Sequence, residues 1–447
     1  MTDDKSTQIN AEPTKSFFVD MLTRDIPLEQ AILDLVDNCV DGAKSMGEDG
    51  DMPFSNRSIK LEFGTDSFRI LDNCGGFSRE AAKEYAFRFG RPANAQRASH
   101  SIGQFGVGMK RALFKFGRHF VVRSATLEDT WSVEVNVPEW EGEPEWYFPW
   151  TEFKGNAFIG SENPGTEIIV TNLRSEVSRR FGTKNFETEV INLIQSKHRQ
   201  FIAKGISVSV NGTHLTATDL KFLTRDGLNP GTEIITFQDE GVAPITVKIV
   251  VAVGQSAPRQ AGWYVVCNGR VILEADRSTT TGWGVIEESQ SKLMIPNYHN
   301  QFSRFRGIVF FDSNDSARVP WNTTKTDVDK DNPVWQTVFQ KMIEMMRPVI
   351  SFLNDLDNDI DDHPQNESPL SQFVHKSNWV APENLTISRA FQAPSREAVK
   401  KGPKTTKIQY SRLADDVDFM KEALGVSTAV AVGEKSFDLM IKRQRGG

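Results

Sequence analysis

Hydrophobic positions change their period twice along this chain. Ile32, Leu35, Val36, Cys39 and Ala43 recur at three- and four-residue steps, which predicts a helix with one side held against a sheet. Leu113, Phe114 and Phe116 carry a second helical pattern that begins near Met109. Val190, Leu193, Ile194 and His198 mark a third helix within Thr183 to Phe201, where His198 reads as a helix-surface residue. From Ile206 the period drops to two. ISVSVNGTHL (206–215) predicts a hairpin turning at Asn211-Gly212, and WYVVCNGRVILEAD (263–276) another turning at Asn268-Gly269. ITVKIVVAV (245–253) and GIVFFD (307–312) predict single strands. Helical spacing returns in WQTVFQKMIEMMRPVISFLNDL (335–356), whose Met and Phe stripe is expected as core.

The first of these helices also has a polar face. In DLVDNCVDGA (34–43), Asp34, Asn38 and Asp41 fall at i, i+4 and i+7. An acid and an amide one turn apart suit a magnesium-phosphate site: the amide oxygen ligates a hard cation and the acid orients water. By itself such a face is an ordinary solvated surface. Two glycine-rich segments downstream change that reading.

In ILDNCGGFS (70–78), Asp72 stands where a strand end turns through Gly75 and Gly76. A carboxylate beside such a turn can accept an exocyclic amine of adenine, while glycine lets the base approach the backbone; an ordinary strand-to-turn junction has the same look. In SIGQFGVGMKRALFKFG (101–117), Gly103, Gly106 and Gly108 feed a helix N-terminus, whose free N–H groups bind phosphate oxygens, and Lys110 adds a positive charge. The segment lacks the GK[ST] ending of a P-loop, and no acid is spaced for a Rossmann ribose site.

Taken in order, acid-x-x-x-Asn on a helix, Asp-x-x-x-Gly, GxxGxG, and a strand opened by Gly165-Thr166 in PGTEIIVTNL (164–173) resemble the GHKL ATPase superfamily. That group includes gyrase B subunits, MutL-type mismatch-repair ATPases, the ninety-kilodalton heat-shock chaperones, histidine kinases and the microrchidia (MORC) ATPases. The resemblance implies ATP and Mg2+ as cofactors, with Asn38 ligating the metal and Asp72 recognising adenine near Thr166. It places Gly103, Gln104, Phe105, Gly106, Val107 and Gly108 around the phosphates, with Lys110, Asp41 and Gly76 also at the nucleotide. Residues from about Tyr85 to Ile102 correspond to a lid. Two positions depart from the family. Asp34 stands where a glutamate usually polarises the attacking water, and Cys74 where DNGxG proteins have their first glycine.

The strand-rich stretch resembles the transducer domain of gyrase, MutL and MORC proteins, and its NGR hairpin has a counterpart there. In VPWNTTKTDVD (319–329), Lys325 is placed where a transducer lysine reaches the γ-phosphate, with Asn322, Thr323 and Thr324 positioning it. The expected fold is therefore α+β: a GHKL (Bergerat) α/β sandwich over 1–200 including an N-terminal arm, then a smaller β-rich transducer-like domain over 201–352. A linker over 353–407, acidic then basic, and a short helical segment over 408–447 complete it. Phe17, Phe18 and Leu22 of the arm need a surface, either in their own domain or on a partner subunit.

Composition narrows this further. Net charge of −7 argues against coating nucleic acid by bulk charge, though not against a local basic patch. Cys39, Cys74 and Cys267 are far apart, which suggests neither a disulfide framework nor a zinc site. No signal peptide opens the chain and no apolar run reaches membrane-spanning length, so a reducing cytoplasm is the expected home and no membrane is expected as partner. The expected function is a slow Mg-ATPase. Its binding and hydrolysis drive lid closure and formation of a nucleotide-dependent homodimer, by family analogy with MORC-like relatives on nucleic acid or in bacterial defence. The competing readings are a chaperone-like clamp on protein clients and a nucleotide-gated interaction module with little hydrolysis.

Overall fold

The computed structural model describes residues 13–47, 50–88, 100–103, 107–218, 220–285, 295–363, 367–396 and 408–446. The chain divides into two compact units, Met1–Arg396 and Glu397–Gly447.

The first unit opens with helices Lys15–Arg24 and Leu28–Ser45. The Lys15 side chain donates to the carbonyls of Trp140, Glu143 and Glu145 at 2.6–2.8 Å, and the Phe18 ring stands edge-on to Trp146. The arm thus packs on its own domain, while Phe17 stays exposed.

Eight strands follow: β1 (Ser58–Phe63), β2 (Ser67–Asp72), β3 (Gly117–Ala125), β4 (Thr130–Asn136), β5 (Trp150–Thr151), β6 (Gly165–Leu173), β7 (Ser207–Val210) and β8 (Thr213–His214). They form one sheet in the order β5-β4-β3-β6-β2-β1-β7-β8, antiparallel except for β1 beside β7. Alternation in β1 sends Ile59, Leu61 and Phe63 inward and leaves Lys60 and Glu62 out. Phe63 and Phe68 meet Phe116, Phe181 and Phe186 under the helices, an aromatic core that fixes helix against sheet. The Leu28–Ser45 helix packs beside the Gly108–Phe116 helix on this layer. The 206–215 hairpin forms as expected, with Asn211 and Gly212 both at positive φ, but β7 joins this first sheet. The sandwich therefore runs beyond residue 200: Val208 and Val210 are buried and continue its core.

The second layer has β9 (Phe222–Thr224), β10 (Gly231–Phe237), β11 (Ile245–Val253), β12 (Gly262–Cys267), β13 (Arg270–Asp276), β14 (Phe305–Ser313) and β15 (Asn378–Val380). Its five-stranded sheet is ordered β10-β11-β14-β12-β13, and β9 pairs separately with β15. β12 is buried at every residue because both sheet faces are covered. On one face the Pro333–Asp362 helix lays Met346 against Trp263; on the other, Tyr264, Val266 and Phe310 pack with Phe222 and Leu385. The helix starts at Pro333, where the Asn332 side chain accepts the N–H groups of Val334 and Trp335.

Two further expectations are corrected by packing. The Thr183–Phe201 segment is two helices, Lys184–Lys197 and Arg199–Ala203, broken at His198, which is buried. The region expected as an acidic linker instead carries helix to Asp362 and again over Pro369–His375. Leu353, Leu356 and Asp359 extend the buried stripe of the long helix, and Asp359 accepts from Ser368 and Leu370 at the start of helix Pro369–His375. The acids there lie mostly on the outer face, which hid the stripe from a composition reading. The basic run at 397–407 lies outside the described residues.

The second unit, described over 408–446, holds helices Ala414–Leu424 and Ala429–Gln444, matching the two short helices expected. Among the described residues, no helix is long and apolar enough to cross a membrane. The architecture is an α/β sandwich followed by a smaller β-rich block and C-terminal helices.

A Cβ at Gly307 in β14 would lie 2.4 Å from the Trp263 ring. Gly307→Ala is expected to cost about 1–3 kcal/mol by overpacking. Gly142→Ala, with nothing within 4 Å of the new methyl, is expected to stay within about 0.5 kcal/mol. Denaturant melts of the two variants against wild type check this.

Candidate functional site

A cavity of about 330 Å³ opens between the Leu28–Ser45 helix, the end of β2, the start of β6 and the loop after β14. Its size suits a small-molecule site. Asp34, Asn38 and Asp41 all line it, as the helical spacing predicts. Asn38 is exposed on an otherwise buried turn, and its amide makes no hydrogen bond to a described residue.

Asp72 closes one end. Its Oδ1 accepts the Cys74 N–H at 2.7 Å and its Oδ2 accepts the Cys39 thiol at 3.2 Å. Burial pushes its carboxyl up to about 6, against the pull of these bonds. Thr166 stands opposite Asp72 in the β2–β6 register, 3.2 Å from the Ser124 hydroxyl. Gly76 takes φ of +62°, and a Cβ there would lie 2.2 Å from the Ala125 carbonyl. The turn places its positive φ values on Gly75 and Gly76, so Cys74 fits at the preceding position.

At the glycine run, Gly103, Val107 and Gly108 line the cavity; Gln104, Phe105 and Gly106 lie outside the described residues, as does most of the expected lid. Asp41 accepts the N–H groups of Ile102 and Gly103 at 2.7–2.9 Å, so it anchors this segment to the helix. A Cβ at Gly108 would meet the Asp34 side chain at 3.0 Å, so glycine is what lets the helix start against that acid. Lys110 does not line the cavity. Its side chain is buried away from the cavity, and the amino group donates to the carbonyls of Ala86 at 2.8 Å and Arg88 at 2.5 Å. Arg111 lines the cavity instead, with an Nε that has no partner among the described residues.

Lys325 arrives from the far layer. Its backbone takes φ of +56°, a costly state for a non-glycine residue. Asn322 builds the turn: its carbonyl accepts the Lys325 N–H at 3.0 Å, and its Oδ1 accepts the Thr326 N–H at 3.0 Å. The Lys325 ammonium sits 2.7 Å from Asp37 Oδ2 and 3.6 Å from Asp34 Oδ1. Burial pushes it down to about 8, with Asp34 working the other way.

Sequence reading passed over Asp37, which is fully buried. Its Oδ2 is shared by Lys325 and Arg270, and its Oδ1 receives His198 Nε2 at 2.8 Å. Burial, then the charges of Lys325, Lys44 and Lys197, push His198 down to about 3, so the imidazole is neutral and donates here. The usable signal was an acid on the apolar side of the helix, which demands a cation.

With this geometry in place, residues 26–155 match the family model described as histidine kinase-, DNA gyrase B-, and HSP90-like ATPase. Over residues 26–155 the chain thus carries a domain of this ATPase family. Among solved structures it is similar to the ATPase and transducer domains of DNA topoisomerase II from Balamuthia mandrillaris. The identity is 11% and the TM-score 0.39, over 71% of this chain and 82% of that one. No curated protein matches the chain.

Asp72, with its folded value near 6 against an ordinary 3.8, favours folding only while protonated. Its contribution is full below about 4 and is lost as pH rises through 6. Asp72→Asn removes that loss, so the melting-temperature gap between variant and wild type is expected to move in the variant's favour from pH 4 to pH 7.

Proposed function

We propose that the chain binds Mg-ATP in this cavity and hydrolyses it slowly, using the nucleotide state to drive a conformational change. The observation that carries the reading is the arrival of Lys325, at a left-handed position of a distant loop, beside Asp34 in the wall of the same cavity as Asn38 and Asp72. Nothing in ordinary packing calls for a buried lysine in a strained backbone at that place.

The residues fit the groups the domain implies. Asn38 offers an amide oxygen at the cavity wall to magnesium, which when bound would neutralise phosphate charge. Asp72 offers a fixed carboxylate to an adenine amine, beside Thr166. Val107 and Gly108 line the cavity where the Gly108–Phe116 helix begins, and the helix offers its N-terminal dipole to phosphate oxygens. Arg111 supplies a cation at the cavity wall in the role expected of Lys110. Asp34 orients the attacking water and accepts its proton, and Lys325 stabilises charge on the terminal phosphoryl group. Lys325 belongs to the loop after β14, so it reports the phosphate to the β-rich block, which acts as a transducer. Two copies close together in the ATP state, in the cytoplasm.

A second reading rests on Asp34 itself. It is one methylene shorter than glutamate and already paired with Lys325, which favours a nucleotide-gated module that barely hydrolyses.

Steady-state turnover with magnesium separates the two. Asp34→Asn is expected to lower turnover by about a hundredfold or more while nucleotide still binds. No turnover in wild type, with binding retained, establishes the gated module. Asp72→Asn presents an amide donor to groups that now donate to the carboxylate, and is expected to weaken ATP binding by about tenfold or more, read by calorimetry.

A further inference from the structure

Asp34, Asp37, Lys325 and Arg270 form a group of two acids and two cations, the latter pair delivered by the β-rich layer. Lys325 and Arg270 bind the same oxygen of Asp37. Arg270 is completely buried, and its Nε and Nη2 have no partner among the described residues. A guanidinium with two unused donors, already on a carboxylate, can take over that carboxylate when its other cation departs. Lys325 has somewhere to go, since it lines the cavity and Arg270 does not.

The hairpin that carries Arg270 is itself seated on the nucleotide domain. Asn268, at positive φ in its turn, donates through Nδ2 to the Ser101 carbonyl at 3.1 Å. Its carbonyl accepts from Lys44 at 3.0 Å, and Lys44 also donates to the His100 carbonyl at 2.7 Å. A Cβ on Gly269 would lie 2.6 Å from the Phe201 ring, so the turn is pressed against the Arg199–Ala203 helix. Arg270 is therefore held in place while Lys325 sits on a separate loop.

We propose that Asp37 and Arg270 are positioning residues of a charge-exchange switch: Asp37 holds Lys325 in the nucleotide-free chain, and Arg270 keeps Asp37 neutralised when Lys325 leaves it for a terminal phosphate. The proposal rests on the ATP reading of the cavity. Its consequence is that these two residues set how strongly the site prefers a triphosphate to a diphosphate, without touching the nucleotide. Removing the Asp37 charge frees Lys325 and sharpens the preference. Removing the Arg270 charge leaves Asp37 to Lys325 alone, which tightens the resting pair and blunts it.

The test is calorimetric titration of the full chain with ADP and with the non-hydrolysable β,γ-imido analogue of ATP. Asp37→Asn is expected to raise the analogue-to-ADP affinity ratio by about fivefold or more and Arg270→Gln to lower it by as much, the lower range of coupling between sites. ADP affinity itself is expected to stay within about twofold in both, and Arg270→Lys to keep the wild-type ratio. A merely structural role moves both variants the same way and weakens ADP as well; that result overturns the proposal. It is equally overturned if both ratios stay at wild type while Lys325→Ala collapses the preference, an outcome that leaves the ATP reading intact. Failure of wild type to bind either nucleotide sinks both. Should Asp37→Asn not fold, Arg270→Gln against Arg270→Lys decides alone: equal ratios in the two overturn the switch.

Discussion

A carboxylate with no exposed surface must be held by charge, and Asp37 is held by Lys325, Arg270 and a neutral His198. These partners come from the loop after β14, from β13 and from the break between two helices, while Asp37 itself is on the helix that lines the cavity. Removing one partner of such a group strands a buried charge, at a cost of about 3–5 kcal/mol. The two sheets are therefore joined by something that depends on their relative placement to within an ångström or so. Apolar packing alone tolerates more slippage than that.

That constraint explains why strain is accepted where it is. Lys325 adopts a left-handed backbone, and the Asn322 hydrogen bonds hold it there. Gly108 gives up a side chain so that a helix can begin against Asp34. Asp41 spends its carboxylate on two backbone N–H groups and thereby fixes the start of the glycine run. Each of these sacrifices local preference to bring a distant segment to the cavity, the usual mark of a site where geometry matters more than stability.

Much of the cavity was legible from spacing. Asp34, Asn38 and Asp41 share a face because a helix repeats every 3.6 residues, and Asp72 sits beside Thr166 because a strand end and a glycine turn put it there. Lys110, expected at the cavity, does not line it. Helix geometry gives adjacent side chains faces about 100° apart, so a cation near a glycine run is not thereby at the phosphates. Arg111 takes the cavity side, and only the packing of the Gly108–Phe116 helix decides which of the two does.

Local order was within the reach of the sequence, because periodicity and turn chemistry act over a few residues: the helix of the first motif, the two Asn-Gly hairpins and the strand-rich middle follow from them. Membership of β7 in the first sheet, the burial of His198 and the continuation of the long helix to Asp362 were decided by tertiary contacts. So was the meeting of Asp37 with Arg270 and Lys325, separated by 233 and 288 positions in the chain. A pattern of residues specifies which groups can hold a charge; only the folded chain specifies which of them reach it.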